Sequence, residues 1–171
     1  MRQVGLFGGR VHIAMSPEQV PPVNMACPME DKRLVKVQFY DQDIGYENIW
    51  VLPLGDGTYC LQNPPFFIYD IALNDVVAAV PDEDCFVHFL RVVRRSGNRT
   101  LRARSDFLLQ DSEFMSKVKR GLCEMQCQVE AYRNRLLAIS VPQEADLHSV
   151  MAYLAEMGLA WEYGCPSELN T

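Results

Sequence analysis

Two cysteines have a spacing that could bind a metal ion. Cys123 and Cys127 lie four residues apart, so on a continuous helix both thiols would share one face. A structural zinc site needs four nitrogen or sulfur ligands, and no second Cys or His pair follows at a suitable spacing. The pair therefore favours a packing role, and we predict that the protein holds no metal ion and no cofactor.

The side chains that could do acid–base or nucleophilic chemistry are scattered along the chain. The three histidines are His12, His88 and His148. No nucleophile signature accompanies them, and the glycines at residues 5–9 lack the Lys-Ser/Thr pair that closes a phosphate-binding loop. The acidic run at residues 82–84 lacks the glycine and the closing glutamate of a calcium loop, which favours a solvated turn. We therefore predict that the protein is not an enzyme.

The charged residues are divided unevenly along the chain. Nine acidic residues and no Lys or Arg occupy residues 37–90, and six arginines without an acidic residue follow in residues 91–104. A long acidic stretch is typical of a surface that meets a basic partner, which it attracts electrostatically. The candidate acidic face consists of Asp41, Asp43, Glu47, Asp56, Asp82, Glu83 and Asp84. The candidate aromatic anchors among these acids are Tyr46, Trp50 and Phe67.

The arginine stripe permits two interpretations. On a strand, Arg102 and Arg104 would project from one face, so the stripe could present a basic ribbon to phosphate groups. The candidate ribbon consists of Arg94, Arg95, Arg99, Arg102 and Arg104. No aromatic side chain that could stack on a base is interleaved with it, so nucleic acid is not the expected partner. Pairing of the stripe with acidic residues, within the molecule or across an interface, is favoured.

The composition indicates a globular cytoplasmic protein. The chain has 171 residues, 49% of them hydrophobic, and a net charge of −6, which excludes a disordered tail and a dedicated nucleic-acid binder. The six cysteines are dispersed without a compact disulfide framework, so we predict reduced thiols. No apolar run approaches the roughly 18 residues of a membrane-spanning helix, and no signal peptide is recognisable.

The first half of the chain predicts an arm followed by short strands. Residues 1–30 contain three glycines, four prolines and no stable hydrophobic period, and are predicted to form a flexible arm. The alternative start sites within it are Met15, Met25 and Met29. Residues 31–98 predict a small antiparallel β-barrel or curled sheet, SH3-like, with one hairpin at residues 55–57. A second hairpin around residues 96–98 is predicted to pair residues 85–93 with residues 100–104.

Residues 99–171 change to a mixed pattern of helices and strands. Helical spacing follows an N-cap at Asp111 or Ser112, and a second helix is predicted from about Glu144 to Gly158. Strands are predicted at residues 128–132, 135–141 and 159–163. If residues 100–105 form the first strand, the order is β-α-β-β-α-β, the ferredoxin-like arrangement. The predicted fold class is therefore α+β, with a β-rich subdomain followed by a ferredoxin-like subdomain.

Several stretches of the sequence resemble a known bacterial family. They are WVLPLGDG at residues 50–57, LQNPPFF at 61–67, ALNDVV at 72–77, PDED at 81–84, VVRRSGN at 92–98, LLAISVP at 136–142 and WEY at 161–163. Together they are similar to the domain of unknown function 4265 over roughly residues 34–163. None of them is a catalytic motif, and the resemblance implies no functional residue.

The absence of a catalytic motif and the acidic stretch favour a binding role. Small acidic bacterial proteins of this kind are similar in style to immunity proteins encoded beside polymorphic toxins. We predict a non-catalytic immunity protein that occludes a cognate polymorphic, contact-dependent or secretion-system toxin, such as a nuclease or an ADP-ribosyltransferase, with a basic surface. Two alternatives stay open: an RNA-associated regulator that uses residues 91–104, and a sensor that binds a small molecule in the ferredoxin-like half.

Overall fold

The structure, a computed structural model, combines a β-barrel with a second sheet that carries helices. It describes residues 33–105 and 108–165, which form nine strands and two α-helices. The fold class is α+β: a closed five-stranded barrel precedes a four-stranded sheet. The predicted arm at residues 1–30, with its three candidate start methionines, lies outside the described residues.

The barrel is formed by five consecutive strands. They are β1 (Val35–Asp41), β2 (Gly45–Gly55), β3 (Thr58–Leu61), β4 (Val76–Pro81) and β5 (Val87–Arg94). Successive strands pair antiparallel, and β1 closes the barrel against β5 in parallel, because an odd number of strands joined in sequence leaves the first and last pointing the same way. Alternate residues such as Val37, Ile49 and Val51 point inward and are fully buried.

The predicted hairpin between β2 and β3 is confirmed. Gly55, Asp56 and Gly57 all have positive φ angles, of 96°, 53° and 70°. Glycine adopts this conformation without steric cost, which explains why two of the three turn residues are glycine.

The second sheet is formed by the rest of the described chain. Its elements are β6 (Arg99–Arg104), α1 (Ser112–Glu124), β7 (Gln128–Tyr132), β8 (Leu136–Val141), α2 (Leu147–Glu156) and β9 (Ala160–Cys165). The strands lie in the order β7-β8-β6-β9 and pair antiparallel. Both helices pack on one face of this sheet, where Val118, Ile139 and Leu154 share a fully buried core.

The helix starts follow from their N-caps. The predicted cap of α1 at Asp111 is confirmed, since its carboxylate accepts hydrogen bonds from the first turn at 2.8 Å. The second helix begins at Leu147, later than the predicted start near Glu144. Its cap is Asp146, whose carboxylate accepts from the backbone N–H of His148 at 3.0 Å.

The predicted hairpin around residues 96–98 is wrong. The strand β5 pairs with β4 and β1, whereas β6 pairs with β8 and β9 in the other sheet. The intervening residues bind elsewhere: the hydroxyl of Ser96 and the amide of Asn98 donate to the carbonyl of Leu73 at 2.8 Å and 2.9 Å. These bonds hold the link between the sheets against the segment that precedes β4.

That segment, residues 62–75, connects β3 to β4 without regular secondary structure, and we call it the junction segment. Its Ile71 side chain belongs to the barrel core. On its other side, the backbone N–H of Asp70 donates to the carbonyl of Gly164 at 2.9 Å, and the Thr100 hydroxyl donates to the carbonyl of Ile71 at 3.2 Å. The junction segment therefore lies between the barrel and the second sheet.

Buried polar side chains concentrate at this junction. Among the described residues, the buried polar or charged ones are Glu47, Asn63, Asp75, Thr100, Arg102 and Ser140. Glu47, Asn63, Asp75, Thr100 and Arg102 each lie in the junction segment or hydrogen-bond to it. Irregular buried backbone leaves N–H and C=O groups that regular pairing does not satisfy, so side chains must bind them.

Glu47 binds the centre of the junction segment. Its carboxylate accepts hydrogen bonds from three consecutive backbone N–H groups, those of Phe66 at 2.7 Å and of Phe67 and Ile68 at 2.9 Å. Glu47 itself is 8% exposed. Hydrogen bonds to a charged acceptor are stronger than neutral ones, and a buried donor that loses its partner is costly.

We expect Glu47→Ala to lower the free energy of unfolding by about 3 kcal/mol, because it leaves three part-buried N–H donors without their acceptor. Glu47→Gln, which keeps one acceptor oxygen, should cost less. Urea denaturation of both variants measures the difference. Asp43→Ala, at an exposed turn residue, is the control and should change the stability by no more than about 0.5 kcal/mol. Equal effects of Glu47→Ala and Asp43→Ala would contradict the anchoring role.

Candidate protein-interaction surface

The outward face of β1 and β2 carries a regular array of side chains, which we call the aromatic ladder. Its rungs are the cross-strand pairs Lys36–Trp50, Gln38–Asn48 and Tyr40–Tyr46. The exposed fractions of Tyr40, Tyr46 and Trp50 are 50%, 61% and 46%. Their inward neighbours are buried, so the strand alternation that builds the barrel core also places these aromatic rings in solvent.

The ladder residues contact one another across the strands. The rings of Tyr40 and Tyr46 lie with their centroids 5.1 Å apart. The Lys36 ammonium lies over the Trp50 ring, 4.6 Å from its centroid. That geometry is a cation–π contact, in which the negative ring face attracts the positive charge.

The predicted acidic residues lie in turns at both ends of the barrel. Asp41 ends β1 and Asp43 lies in the turn that follows it, beside the Tyr40–Tyr46 rung. Asp41 shapes this turn, because its carboxylate accepts from the N–H groups of Asp43 and Ile44 at 2.9 Å and 3.1 Å. The turn at Asp56 and the turn at residues 82–86 lie together at the other end, since β3 and β4 pair antiparallel.

Asp82 organises the turn between β4 and β5, and Glu83 and Asp84 are exposed within it. The Asp82 carboxylate lies 2.6 Å from the His88 ring nitrogen Nε2. The hydrogen bond with His88, together with bonds from backbone N–H groups of the turn, lowers the pKa of Asp82. His88 in turn pairs in register with Gln38, so this acidic turn adjoins the ladder.

Two predicted surface residues lie elsewhere, and their placement on an exposed face is corrected. Glu47 is buried because its carboxylate binds the junction segment. Phe67 is half-buried, and its ring meets the ring of Tyr132 edge-on at a centroid distance of 5.3 Å. The burial of Glu47 could have been predicted from the sequence, because Glu47 alternates in step with the buried Ile49 and Val51 on the same strand.

The arginine ribbon is only partly exposed, at Arg94, Arg95 and Arg104. Arg102 is 4% exposed: it donates to the carbonyl of Ile68, lies 3.5 Å from Glu162 and stacks over the ring of Tyr69. The prediction that Arg102 projects beside Arg104 overlooked the junction segment, which covers that part of the sheet.

Two further arginines bind within the chain. Arg95 pairs with the buried Asp75 at 3.2 Å. Arg99 donates to the backbone carbonyls of Pro142 and Gln143, both at 2.8 Å, ahead of α2. Arg94 and Arg104, the remaining members of the predicted ribbon, are exposed.

Sequence reasoning missed four members of the ladder. They alternate with buried residues of the same strands but were not among the candidates: Lys36, Gln38, Tyr40 and Asn48. The alternation within residues 34–40 was the available signal. The cross-strand register that brings them beside Tyr46 and Trp50 depends on how the strands pair, which is a property of the folded barrel.

The cysteine pair does not share a helix face. The helix α1 ends at Glu124, so Cys127 lies beyond it and is buried in the core, whereas Cys123 is exposed. Burial, with the nearby Cys123, raises the pKa of Cys127 to about 11. Within residues 33–105 and 108–165, no group of three or more His, Cys, Asp or Glu side chains could hold a metal ion. None of the described helices is long and apolar enough to cross a membrane.

Comparisons with known proteins identify a family and a similar fold. Residues 47–163 match the family model described as domain of unknown function DUF4265. A crystal structure of a hypothetical protein from Neisseria gonorrhoeae is similar to this chain, with a TM-score of 0.61 and 21% sequence identity. The match covers 79% of this chain and 95% of that one, and at this identity it shows the fold alone. No curated protein matches the sequence significantly.

Thiol labelling at pH 8 should modify Cys123 well before Cys127 or Cys165. Burial raises the pKa of Cys165 to about 11 as well, so about one thousandth of either buried thiol is the reactive thiolate at that pH. Mass spectrometry of peptides after a timed maleimide pulse measures each site. Modification of Cys127 as rapid as that of Cys123 in the folded protein would contradict its burial.

Proposed function

We propose that this chain, which belongs to the DUF4265 family of domains of unknown function, is a non-catalytic bacterial immunity protein. In this proposal it binds a cognate polymorphic, contact-dependent or secretion-system toxin, such as a nuclease or an ADP-ribosyltransferase, and covers the toxin's basic surface. The observation that carries the proposal is the exposed aromatic ladder on the barrel.

The ladder has the composition of an interaction hot spot. Tyr and Trp are enriched among the residues that dominate binding energy, because they bury a large area with few rotatable bonds. Three of them lie together on one sheet face, at Tyr40, Tyr46 and Trp50. The barrel core beneath them is filled by other side chains, so these three aromatic residues are not part of the core that stabilises the fold.

The charges around the ladder support a basic partner. The acidic turns at Asp41 and Asp43 and at residues 82–84 lie at the two ends of the barrel whose face carries the ladder. Complementary charge speeds the encounter of two proteins and penalises wrong partners. A toxin that acts on nucleic acid or on nucleotides needs a basic cleft, which such a surface could cover.

The alternative functions receive less support from the described residues. Three of the five ribbon arginines, Arg95, Arg99 and Arg102, bind protein groups, which leaves less of the stripe for RNA. A ligand between the second sheet and its helices would have to displace packed apolar side chains, including Leu122 and Leu137.

We also propose a finer fold assignment for each half of the chain. We infer an SH3-like barrel, because five short strands follow one another around it. The order β6-α1-β7-β8-α2-β9 with the sheet order β7-β8-β6-β9 supports a ferredoxin-like second half. Subdomains at residues 31–98 and 99–171, and a cytoplasmic location, complete the proposal.

The test is neutralisation of the protein encoded by the neighbouring gene. Cells that express the neighbouring gene's product should survive when the immunity protein is coexpressed with it. The two purified proteins should form a complex. Trp50→Ala should weaken the complex at least about thirtyfold, because truncating a hot-spot anchor costs about 2 kcal/mol or more. Isothermal titration calorimetry gives the dissociation constants.

Leu108→Ala is the matched control, because Leu108 is an exposed apolar residue outside the ladder. Its complex should keep the affinity of the unmodified protein. Melting curves of both variants confirm that the fold is retained. Absence of a complex and of protection would refute the immunity function, and a Trp50→Ala complex as tight as the control would exclude the ladder as its surface.

A further inference from the structure

We propose that the aromatic ladder binds an extended, basic peptide segment of its partner, laid along β1 and β2 and hydrogen-bonded through its backbone to Gln38 and Asn48. This inference rests on the proposed function, because it names the chemistry of the partner at the same surface. It depends on three features of the ladder: its repeat, its amides without a partner among the described residues, and the charges at its ends.

The ladder has the repeat of an extended peptide. Rungs follow one another every second residue along each strand, from Lys36 to Gln38 to Tyr40. A strand advances about 3.3–3.4 Å per residue, so neighbouring rungs are about 6.7 Å apart. An extended peptide presents every second side chain on one face with this same repeat, so its side chains can meet successive rungs in register.

The middle rung consists of two carboxamides. Gln38 and Asn48 pair across the strands, and Asn48 is exposed. Neither side-chain amide makes a hydrogen bond to another described residue. Each amide offers two N–H donors and one carbonyl acceptor, so a ligand that covers this rung must satisfy these groups or leave them buried without partners.

An extended backbone satisfies this requirement, whereas a helix does not. The N–H and C=O groups of an extended segment are free and point to its sides, so amide side chains that reach up beside the segment, such as those of Gln38 and Asn48, can pair with them. The backbone groups inside a helix are already paired with one another. The middle rung therefore favours a partner segment that arrives as a single extended strand.

The charges at the ladder favour a basic segment. The turn with Asp43 adjoins the Tyr40–Tyr46 rung, and the Asp82 turn, at the opposite end of the barrel, adjoins the ladder through His88, which pairs with Gln38. Residues 37–90 contain no Lys or Arg. The Lys36 ammonium lies over the Trp50 ring, which shows that this ring face attracts a cation, and a ligand's cation could take that position once Lys36 turns away.

The binding test uses three soluble peptides of about twelve residues, which is longer than a ladder strand. One alternates Lys and Thr, one alternates Glu and Thr, and one is a Lys/Ala helix with the same charge as the first. Trp50 fluorescence reports binding in a Trp161→Phe background, because the chain has two tryptophans. The Lys–Thr peptide should bind at least tenfold more tightly than either of the others. Equal or tighter binding of the helical or the acidic peptide would overturn the proposal.

Charge variants test the sign of the interaction. Lys36→Glu should tighten binding of the Lys–Thr peptide severalfold, and Asp43→Lys should weaken it severalfold, with both effects reduced at high salt. Glu124→Lys, an exposed residue on α1, is the matched control and should leave the affinity unchanged. Affinities that do not depend on the charge of residues 36 and 43 would refute a basic ligand.

Amide variants test the backbone contact. The double variant Gln38→Ala and Asn48→Ala should lower the affinity for the Lys–Thr peptide at least tenfold. Gln128→Ala, which removes an exposed amide on β7, should leave that affinity unchanged. If the chain neutralises its toxin through Trp50 but neither the peptides nor the amide variants show these effects, the extended binding mode fails and the immunity function stands. If the peptide effects appear without neutralisation, the binding mode stands and the immunity function fails.

Discussion

The fold depends on satisfying the backbone of an irregular segment that is buried between two sheets. The junction segment has no strand or helix partner for most of its N–H and C=O groups, and leaving them unpaired in the interior would cost more than a small domain can lose. Side chains from both sheets supply the partners: Glu47 from the barrel binds three N–H groups, and Arg102 and Thr100 from the second sheet bind carbonyls. The two sheets are thereby joined through one segment.

Charged residues that look alike in the sequence have two different roles in the structure: some are buried and bind backbone groups, and others are exposed on the surface. Within the acidic stretch, Glu47 and Asp75 are buried and bind backbone groups, whereas Asp43 and Asp82 lie in exposed turns. The arginine stripe divides in the same way, since Arg102 is internal and Arg94 is exposed. The exposed charged surface is therefore smaller than the sequence indicated, and the surface that we propose for a partner centres on aromatic residues with acidic turns at its ends.

Much of the fold could be predicted from local patterns, because the glycines of the turn at residues 55–57 and the cap at Asp111 act within a few residues. The false hairpin at residues 96–98 shows the limit. Its turn residues were locally suitable, but Ser96 and Asn98 bind Leu73, more than twenty residues away. The same limit applies to the site. Strand alternation places Trp50 on the exposed face of β2, whereas Phe67 is half-buried because its ring contacts Tyr132 of β7, far away in the sequence.

Hydrogen exchange of the native full-length chain tests the central claim most directly, which is that side chains hold the junction segment as firmly as a regular strand. The amides of Phe66, Phe67 and Ile68 donate to Glu47 and should exchange as slowly as the amides within β2. NMR resolves them individually. Exchange of these three amides at the rate of the exposed turn at residues 42–44 would contradict the account.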